Sequence, residues 1–157
     1  MGIKIEKIED KDVEKAKQFC LGIFEELSWP KEFVYGFENL KEFFNGNREA
    51  FLVAKLKKEI IACAGLKELS KTDGLIKRFY VAKEFRGKGL AELMLKKIKQ
   101  FAKKKNYKII VVDIFQNNIR AKKFFQKQGF VVFSPKARNN WVESQHLKAF
   151  QFRKLDL

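Results

Sequence analysis

The sequence predicts an α/β fold of the α+β kind, with a mixed, mostly antiparallel sheet of about seven strands flanked by about four helices. Three observations carry this expectation. Short apolar stretches with alternating or β-branched character recur along the chain, and two of them are separated only by Lys57-Lys58, as in a hairpin. Stretches with apolar residues at helical spacing lie among them. One strand, Leu75 to Val81, leads through a glycine loop into a long helix and then another strand, which reads as a crossover. At 157 residues, with 46% hydrophobic residues and two prolines, the chain is long enough for one domain with its own core, taken as residues 1–157.

Ile3-Lys4-Ile5-Glu6-Lys7-Ile8 alternates apolar and polar residues, as a half-buried strand does. Asp10 and Asp12 stand where an N-cap belongs. Val13, Ala16, Cys20, Phe24 and Leu27 follow at helical spacing, so a helix is expected over residues 11–28. Pro30 suits the first turn of a second helix, with Phe33, Phe37, Leu40 and Phe44 on its buried face and Asn45-Gly46-Asn47 as its stop. Ala50 to Leu56 and Glu59 to Leu66 form the hairpin, and Ser70 to Gly74 turns into the strand Leu75 to Val81. The helix after the glycine loop, Gly89 to Lys104, buries Leu90, Met94, Ile98 and Phe101, and its lysines 96, 97, 99 and 103 read as a solvated surface. Lys108 to Phe115 contains the continuous apolar run Ile109-Ile110-Val111-Val112, expected of a strand covered on both faces. Asn117 or Asn118 caps a short helix that buries Ala121, Phe124 and Phe125, and Gly129 ends it. Phe130 to Phe133 is a strand, Ser134 to Gln145 a loop anchored by Trp141, and Leu147 to Leu155 the last strand.

The chain carries 34 Lys plus Arg against 19 Asp plus Glu, a net charge of +15 spread from end to end. Such a surface attracts anions, and a lysine-rich surface that keeps the protein soluble accounts for it equally well. A nucleic-acid-binding module is the rival class. No recognition motif supports it, and the phenylalanines sit at core spacing rather than as a stacking platform. Cys20 and Cys63 read as small buried hydrophobes, and with His146 the only histidine no zinc cluster is expected. No apolar run approaches a membrane span, and the first residues lack a signal peptide's apolar core, so a cytoplasmic location is expected.

The chemistry concentrates at Arg86-Gly87-Lys88-Gly89-Leu90-Ala91. Glycines let backbone approach a ligand closely, and the first amides of the following helix have no intrahelical partners. With Arg86 and Lys88 beside them, these amides suit a phosphate or diphosphate. No glycine is spaced for a P-loop. A dinucleotide fingerprint fails at its third glycine, where Glu92 stands, although Asp113 lies near the place of a ribose-binding acid.

The stretch Val81-Ala82-Lys83-Glu84-Phe85-Arg86-Gly87-Lys88-Gly89-Leu90-Ala91 resembles the acetyl-CoA loop of the GNAT superfamily of acetyltransferases, Arg/Gln-x-x-Gly-x-Gly/Ala between a strand and a helix. Downstream, Asn118-x-x-Ala121-x-x-Phe124-Phe125-x-x-x-Gly129-Phe130 resembles the family's Asn-x-x-Ala-x-x-Phe-Tyr-x-x-x-Gly-Phe segment. The resemblance implies a GNAT-like fold and acetyl transfer from acetyl-CoA to a primary amine by direct attack in a ternary complex. It also implies that the strand ending Phe79-Tyr80-Val81 bulges and splays from its neighbour. Backbone groups of Phe79 and Val81 would pair with the pantetheine arm, and the Val81 amide would polarise the thioester carbonyl. Backbone amides of Arg86, Gly87, Lys88, Gly89, Leu90 and Ala91 would hold the diphosphate. The Asn118 side chain would bond the pantetheine arm and Phe125 would pack beside the thiol; Lys122 and Lys123 lie within reach of the phosphates but read better as a solvated helix face.

Two positions depart from the family pattern. Phe125 replaces the tyrosine that commonly protonates the departing thiolate, and Leu75 stands near the place of the usual glutamate base. Tyr80, Asp113, Glu68 and His146 are the substitute candidates for proton transfer, and an acyl-CoA sensor without turnover is the alternative. The acceptor, a small amine, amino acid or peptide, has no motif. The basic surface disfavours polycations, and a homodimer is compatible with the family.

Overall fold

The structure, a computed structural model, describes residues 2–157. Strands β1 (Ile3–Lys7), β2 (Ala50–Leu56), β3 (Glu59–Glu68), β4 (Asp73–Val81), β5 (Ile109–Phe115), β6 (Val131–Val132) and β7 (Phe150–Asp156) form one seven-stranded sheet in the order β1-β2-β3-β4-β5-β7-β6. Only β4 and β5 pair in parallel. The helices are α1 (Val13–Glu26), α2 (Leu40–Phe43), α3 (Leu90–Lys104) and α4 (Ile119–Lys127). α3 makes the long crossover that a parallel pair requires. No helix among the described residues is long and apolar enough to cross a membrane.

Successive side chains of a strand point to opposite faces, and here both faces are covered. Cys63, Leu75 and Val111 join Cys20 and Phe24 of α1 and Leu40 of α2 in one core. Ile76, Ile110 and Val112 join Met94 and Ile98 of α3 and Phe125 of α4 in the other. The apolar run at 109–112 is continuous because each alternate residue has a helix to meet. Cys20 and Cys63 are fully buried free thiols with sulfurs 3.9 Å apart, tying α1 to β3 by contact.

Three expectations are corrected. The second helix is broken into short helical turns at Lys31–Phe33 and Phe37–Asn39 followed by α2. Phe33, Phe37, Leu40 and Phe44 are buried as expected, but Gly36 turns the backbone left-handed at φ 85° between them. A Cβ at Gly36 would lie 2.7 Å from the Phe43 ring. Gly36→Ala should therefore destabilise the fold by about 1–3 kcal/mol in a urea melt, and a melt matching wild type would refute this account. Asp12 stands at the N-cap position of α1, but its side chain makes no capping bond. Its carboxylate is buried and meets Lys55 at 3.1 Å, with Glu6 on the other side of the same ammonium at 2.8 Å. The last strand begins at Phe150 rather than Leu147, because residues 142–145 form a helical turn and Leu147 stays exposed.

β4 and β5 pair only from Asp73↔Ile109 to Ile76↔Val112, although both strands run further. On its other edge β4 is bulged: Arg78 and Phe79 oppose the single residue between Cys63 and Gly65, with Arg78 at φ 57°. A bulge bends and overtwists its strand, which carries Tyr80 and Val81 away from β5 and opens a cleft in the sheet.

Candidate active site

A cavity of about 360 Å³ adjoins that cleft, with walls from the end of β4, the end of α1 with Trp29, the glycine loop and α4. Phe79, Val81, Gly87, Gly89, Asn118 and Phe125 all line it. Gly87 and Gly89 take φ 75° and 88°, and a Cβ on either would project into open space. Side chains there would stand in the path of a ligand. The first bond of α3 is Leu93 N–H to Gly89 O, so the amides of Leu90, Ala91 and Glu92 fall outside the helical ladder and carry the positive end of its dipole. Ala82 N–H bonds Ile61 O at 2.8 Å. Bonded and non-bonded positions alternate along an antiparallel pair, so the Val81 N–H faces the opened gap.

The sequence model of the acetyltransferase (GNAT) family matches residues 20–130. The chain belongs to the GNAT family. A GNAT-family acetyltransferase from Staphylococcus aureus MU50 superimposes on it with a TM-score of 0.84 at 21% identity, covering 99% of both chains. The PaiA N-acetyltransferase from Thermoplasma acidophilum, solved in complex with coenzyme A, gives 0.76 at 18% identity over 100% of both chains. At such identities the likeness speaks for the fold. A probable spermine N(1)-acetyltransferase of Bacillus subtilis subsp. natto (strain BEST195) is 43% identical over 54 residues, which is 34% of this chain and 36% of that protein.

Within this GNAT fold the glycine loop differs from expectation in its charge. The Arg86 guanidinium lines the cavity but is already paired. It forks onto Glu26 at 2.7 and 2.9 Å, and its Nε donates to Val81 O at 2.9 Å. Those bonds hold the Glu26 carboxyl below its ordinary pKa. Lys88 stays exposed beside the loop. Leu90 is buried and contributes backbone only. Lys122 bonds Gln116 at 2.8 Å on the surface, in keeping with a solvated role. Asn118 caps α4, accepting from the Ala121 amide at 3.2 Å through Oδ1, so its Nδ2 remains as a donor to the cavity. Phe125 is buried against Phe79, Phe124 and Phe130, with ring centroids at 5.1 to 5.5 Å, and forms an apolar wall.

Of the proton-transfer candidates, Tyr80 alone lines the large cavity. Its ring lies 5.9 Å from Trp29. Burial pushes its phenol pKa up, opposed by the Arg78 charge, so the hydroxyl keeps its proton at neutral pH. Glu68 is remote, paired with Arg48 at 3.0 Å where β3 meets the turn before β4. His146 is exposed, its ring 5.3 Å from Phe33. Leu75 is buried in the core.

Asp113 belongs to a buried ionic cluster that local sequence reasoning missed. Lys77 reaches Glu143 at 2.6 Å and Asp113 at 3.3 Å. Trp141 Nε1–H donates to Asp113 at 2.7 Å, which is how this side chain anchors its loop. The Tyr35 hydroxyl donates to Glu143, and Arg78 donates to the Tyr35 carbonyl at 2.7 Å while facing the rings of Tyr35 and Phe37. Burial and the Glu143 charge raise the Asp113 pKa against the pull of Lys77. Burial acts to raise the Glu143 pKa, but Lys77, the Tyr35 hydroxyl and Arg78 together outweigh it and the carboxyl is held low. The visible signal was Lys77-Arg78 inside an otherwise apolar strand. Against this cluster lies a second cavity of about 50 Å³, sharing Phe79, Tyr80, Asn118 and Phe125 with the first.

Proposed function

We propose that this GNAT chain moves the acetyl group of acetyl-CoA to a primary amine by direct attack in a ternary complex. The observation that carries the reading is the sheet cleft ending at the glycine-cradled N-terminus of α3. The residues present fit the coenzyme. Amides of the 87–91 stretch, above all those of Leu90 and Ala91, receive the diphosphate, with Lys88 adding charge; the Arg86 N–H, expected to join them, is already given to Lys83 O at 3.3 Å. Backbone of Phe79 and Val81 takes the pantetheine arm as an added strand would, and Asn118 Nδ2 donates to it. Phe125 shields the sulfur. Acetyl-CoA supplies an activated acyl group and a thiolate that leaves readily.

The Val81 N–H polarises the thioester carbonyl as negative charge develops on its oxygen. The cleft holds amine and carbonyl together, which removes most of the entropic barrier of a bimolecular step. Tyr80, protonated and at the cavity wall, donates to the departing sulfur in place of the tyrosine that Phe125 replaces.

The acceptor is a small amine, amino acid or peptide amine. The partial relative's name points to spermine, and the net charge of +15 opposes a polycation. Thiol release from acetyl-CoA with spermine, free lysine and a glycyl peptide tests the reading and ranks these classes. Saturable acetyl-CoA binding with no turnover on any amine would replace it with the sensor reading, which the losses at Phe125 and Leu75 favour.

Tyr80→Phe should lower kcat by about 100-fold and leave the acetyl-CoA Kd unchanged. Adding Phe125→Tyr to that variant should restore part of the rate, because it returns a phenol to the same cavity wall. A Tyr80→Phe enzyme with wild-type kcat removes Tyr80 from the mechanism.

A further inference from the structure

We infer that the small cavity between β4 and β5 holds an ordered water, anchored by Arg78 Nε–H, that carries the acceptor's proton to Asp113. The inference rests on the acetyl-transfer reading and deepens it.

Arg78 and Asp113 both line this cavity, together with Tyr80. Arg78 is buried, and its Nε is the one fully buried side-chain polar atom among the described residues with no hydrogen-bond partner. Its Nη2 donates to Tyr35 O at 2.7 Å, and the Tyr80 hydroxyl lies beside the guanidinium. A buried N–H without a partner is costly, and water is its usual remedy. Asp113 shows the complementary lack. The bonds from Trp141 and Lys77 both end on Oδ2, and none ends on Oδ1. A volume of about 50 Å³ exceeds what one water needs, and an unpartnered donor facing the same space as an unpartnered acceptor gives that water two bonds. Tyr80 links this space to the large cavity, whose wall it shares.

The chemistry needs such a route. A primary amine arrives as ammonium and must lose a proton before it attacks. Leu75, near the family's usual base, is buried aliphatic, so the carboxylate is supplied from β5 instead. The groups facing Asp113 are Lys77 and Arg78 from β4, Trp141 and Glu143 from the loop before β7, and Tyr35 from the segment between α1 and α2. The Lys77 ammonium at 3.3 Å and the Trp141 N–H at 2.7 Å favour the carboxylate form of Asp113, while burial and the Glu143 charge raise its pKa.

The ammonium gives one proton to the water, and the water passes one to Asp113 Oδ1. The amine nitrogen then bonds the acyl carbon, and the C–S bond breaks as Tyr80 protonates the sulfur. The proton still on the nitrogen returns to the Tyr80 oxygen. Asp113 releases its proton through the cavity to solvent once the products leave, so each turnover yields amide, free thiol and one proton.

Asp113→Asn and Val112→Ile test this in the full-length chain. The second variant adds one methylene to a cavity-lining residue on the α3–α4 face of β5 and leaves every charge in place, so it carries the test if the first fails to fold. Rates are read with acetyl-CoA and the fastest acceptor among spermine, lysine and the glycyl peptide. At pH 7, kcat/KM should fall about 100-fold in Asp113→Asn and about tenfold in Val112→Ile. Both deficits should shrink to about threefold by pH 10, where much of a primary amine is already neutral. A merely structural role predicts a deficit independent of pH, and that result overturns the relay. So does a wild-type rate in Val112→Ile with a filled cavity, or a high-resolution crystal structure of the wild type with no water on Arg78 Nε. Acetyl-CoA titration of the same proteins should give unchanged Kd values. Absence of binding in the wild type would instead sink the transferase reading itself.

Discussion

Gly89→Asp is expected to weaken acetyl-CoA binding by about 100-fold or more, with little change in melting temperature. A Cβ at this position meets nothing within 4 Å, and Asp tolerates left-handed backbone better than most residues, so the variant should fold. Its carboxylate would sit before the free amides of α3. There it would take the bonds meant for the diphosphate and repel the phosphates. One unit charge about 5 Å from a second, at an effective dielectric near 20, contributes roughly 3 kcal/mol, or about two decades in Kd. Gly89→Ala separates the two effects, since it adds bulk without charge and should lose only about tenfold. Calorimetric titration reads both. A wild-type Kd for the Asp variant would mean that the diphosphate is held elsewhere.

Lys77→Met is expected to be the most damaging single change to stability, costing about 3–5 kcal/mol at pH 7. The side chains of Lys77, Asp113 and Glu143 are only 4%, 10% and 2% exposed. Removing the ammonium leaves two carboxylates together with little access to water. The pH dependence has a definite sign. In the wild type the Glu143 pKa is held low, so its contribution is present above the ordinary carboxylate pKa and is lost as pH falls through the lowered value. Asp113, raised, acts oppositely and loses its contribution as pH rises. Without Lys77 both carboxyls are pushed up, and every step toward neutrality then destabilises the variant. Urea melts should show the widest gap from wild type at neutral pH and a smaller one near pH 4.5. A gap that stays constant with pH would mean that Lys77 acts by packing alone.

The sheet was readable because its signals are local. Period-two alternation marks β1, and the covered run at 109–112 marks a strand between two layers. The Lys57-Lys58 hairpin and the two family segments are likewise contained within short stretches. The errors share another origin. Asp12 looks like a cap until Lys55 arrives from β2 to claim it. Arg86 looks like a free charge beside the glycine loop until Glu26 at the end of α1 pairs with it. Glu143 has no signal at all, because Lys77 and Tyr35 approach it only after the chain has folded. The second helix was misjudged for a different reason. A glycine within a helical pattern is usually tolerated, and the clash at Phe43 that fixes Gly36 is a tertiary fact.

The fork of Arg86 limits how the coenzyme loop can be reused. A guanidinium spans three acceptors at once, two on Glu26 and one on Val81, which a lysine or glutamine side chain does not reproduce. The segment from 81 to 91 is therefore no portable cassette. Grafted onto a scaffold whose first helix lacks a carboxylate at its end, it would carry an untethered cation and a slack hinge.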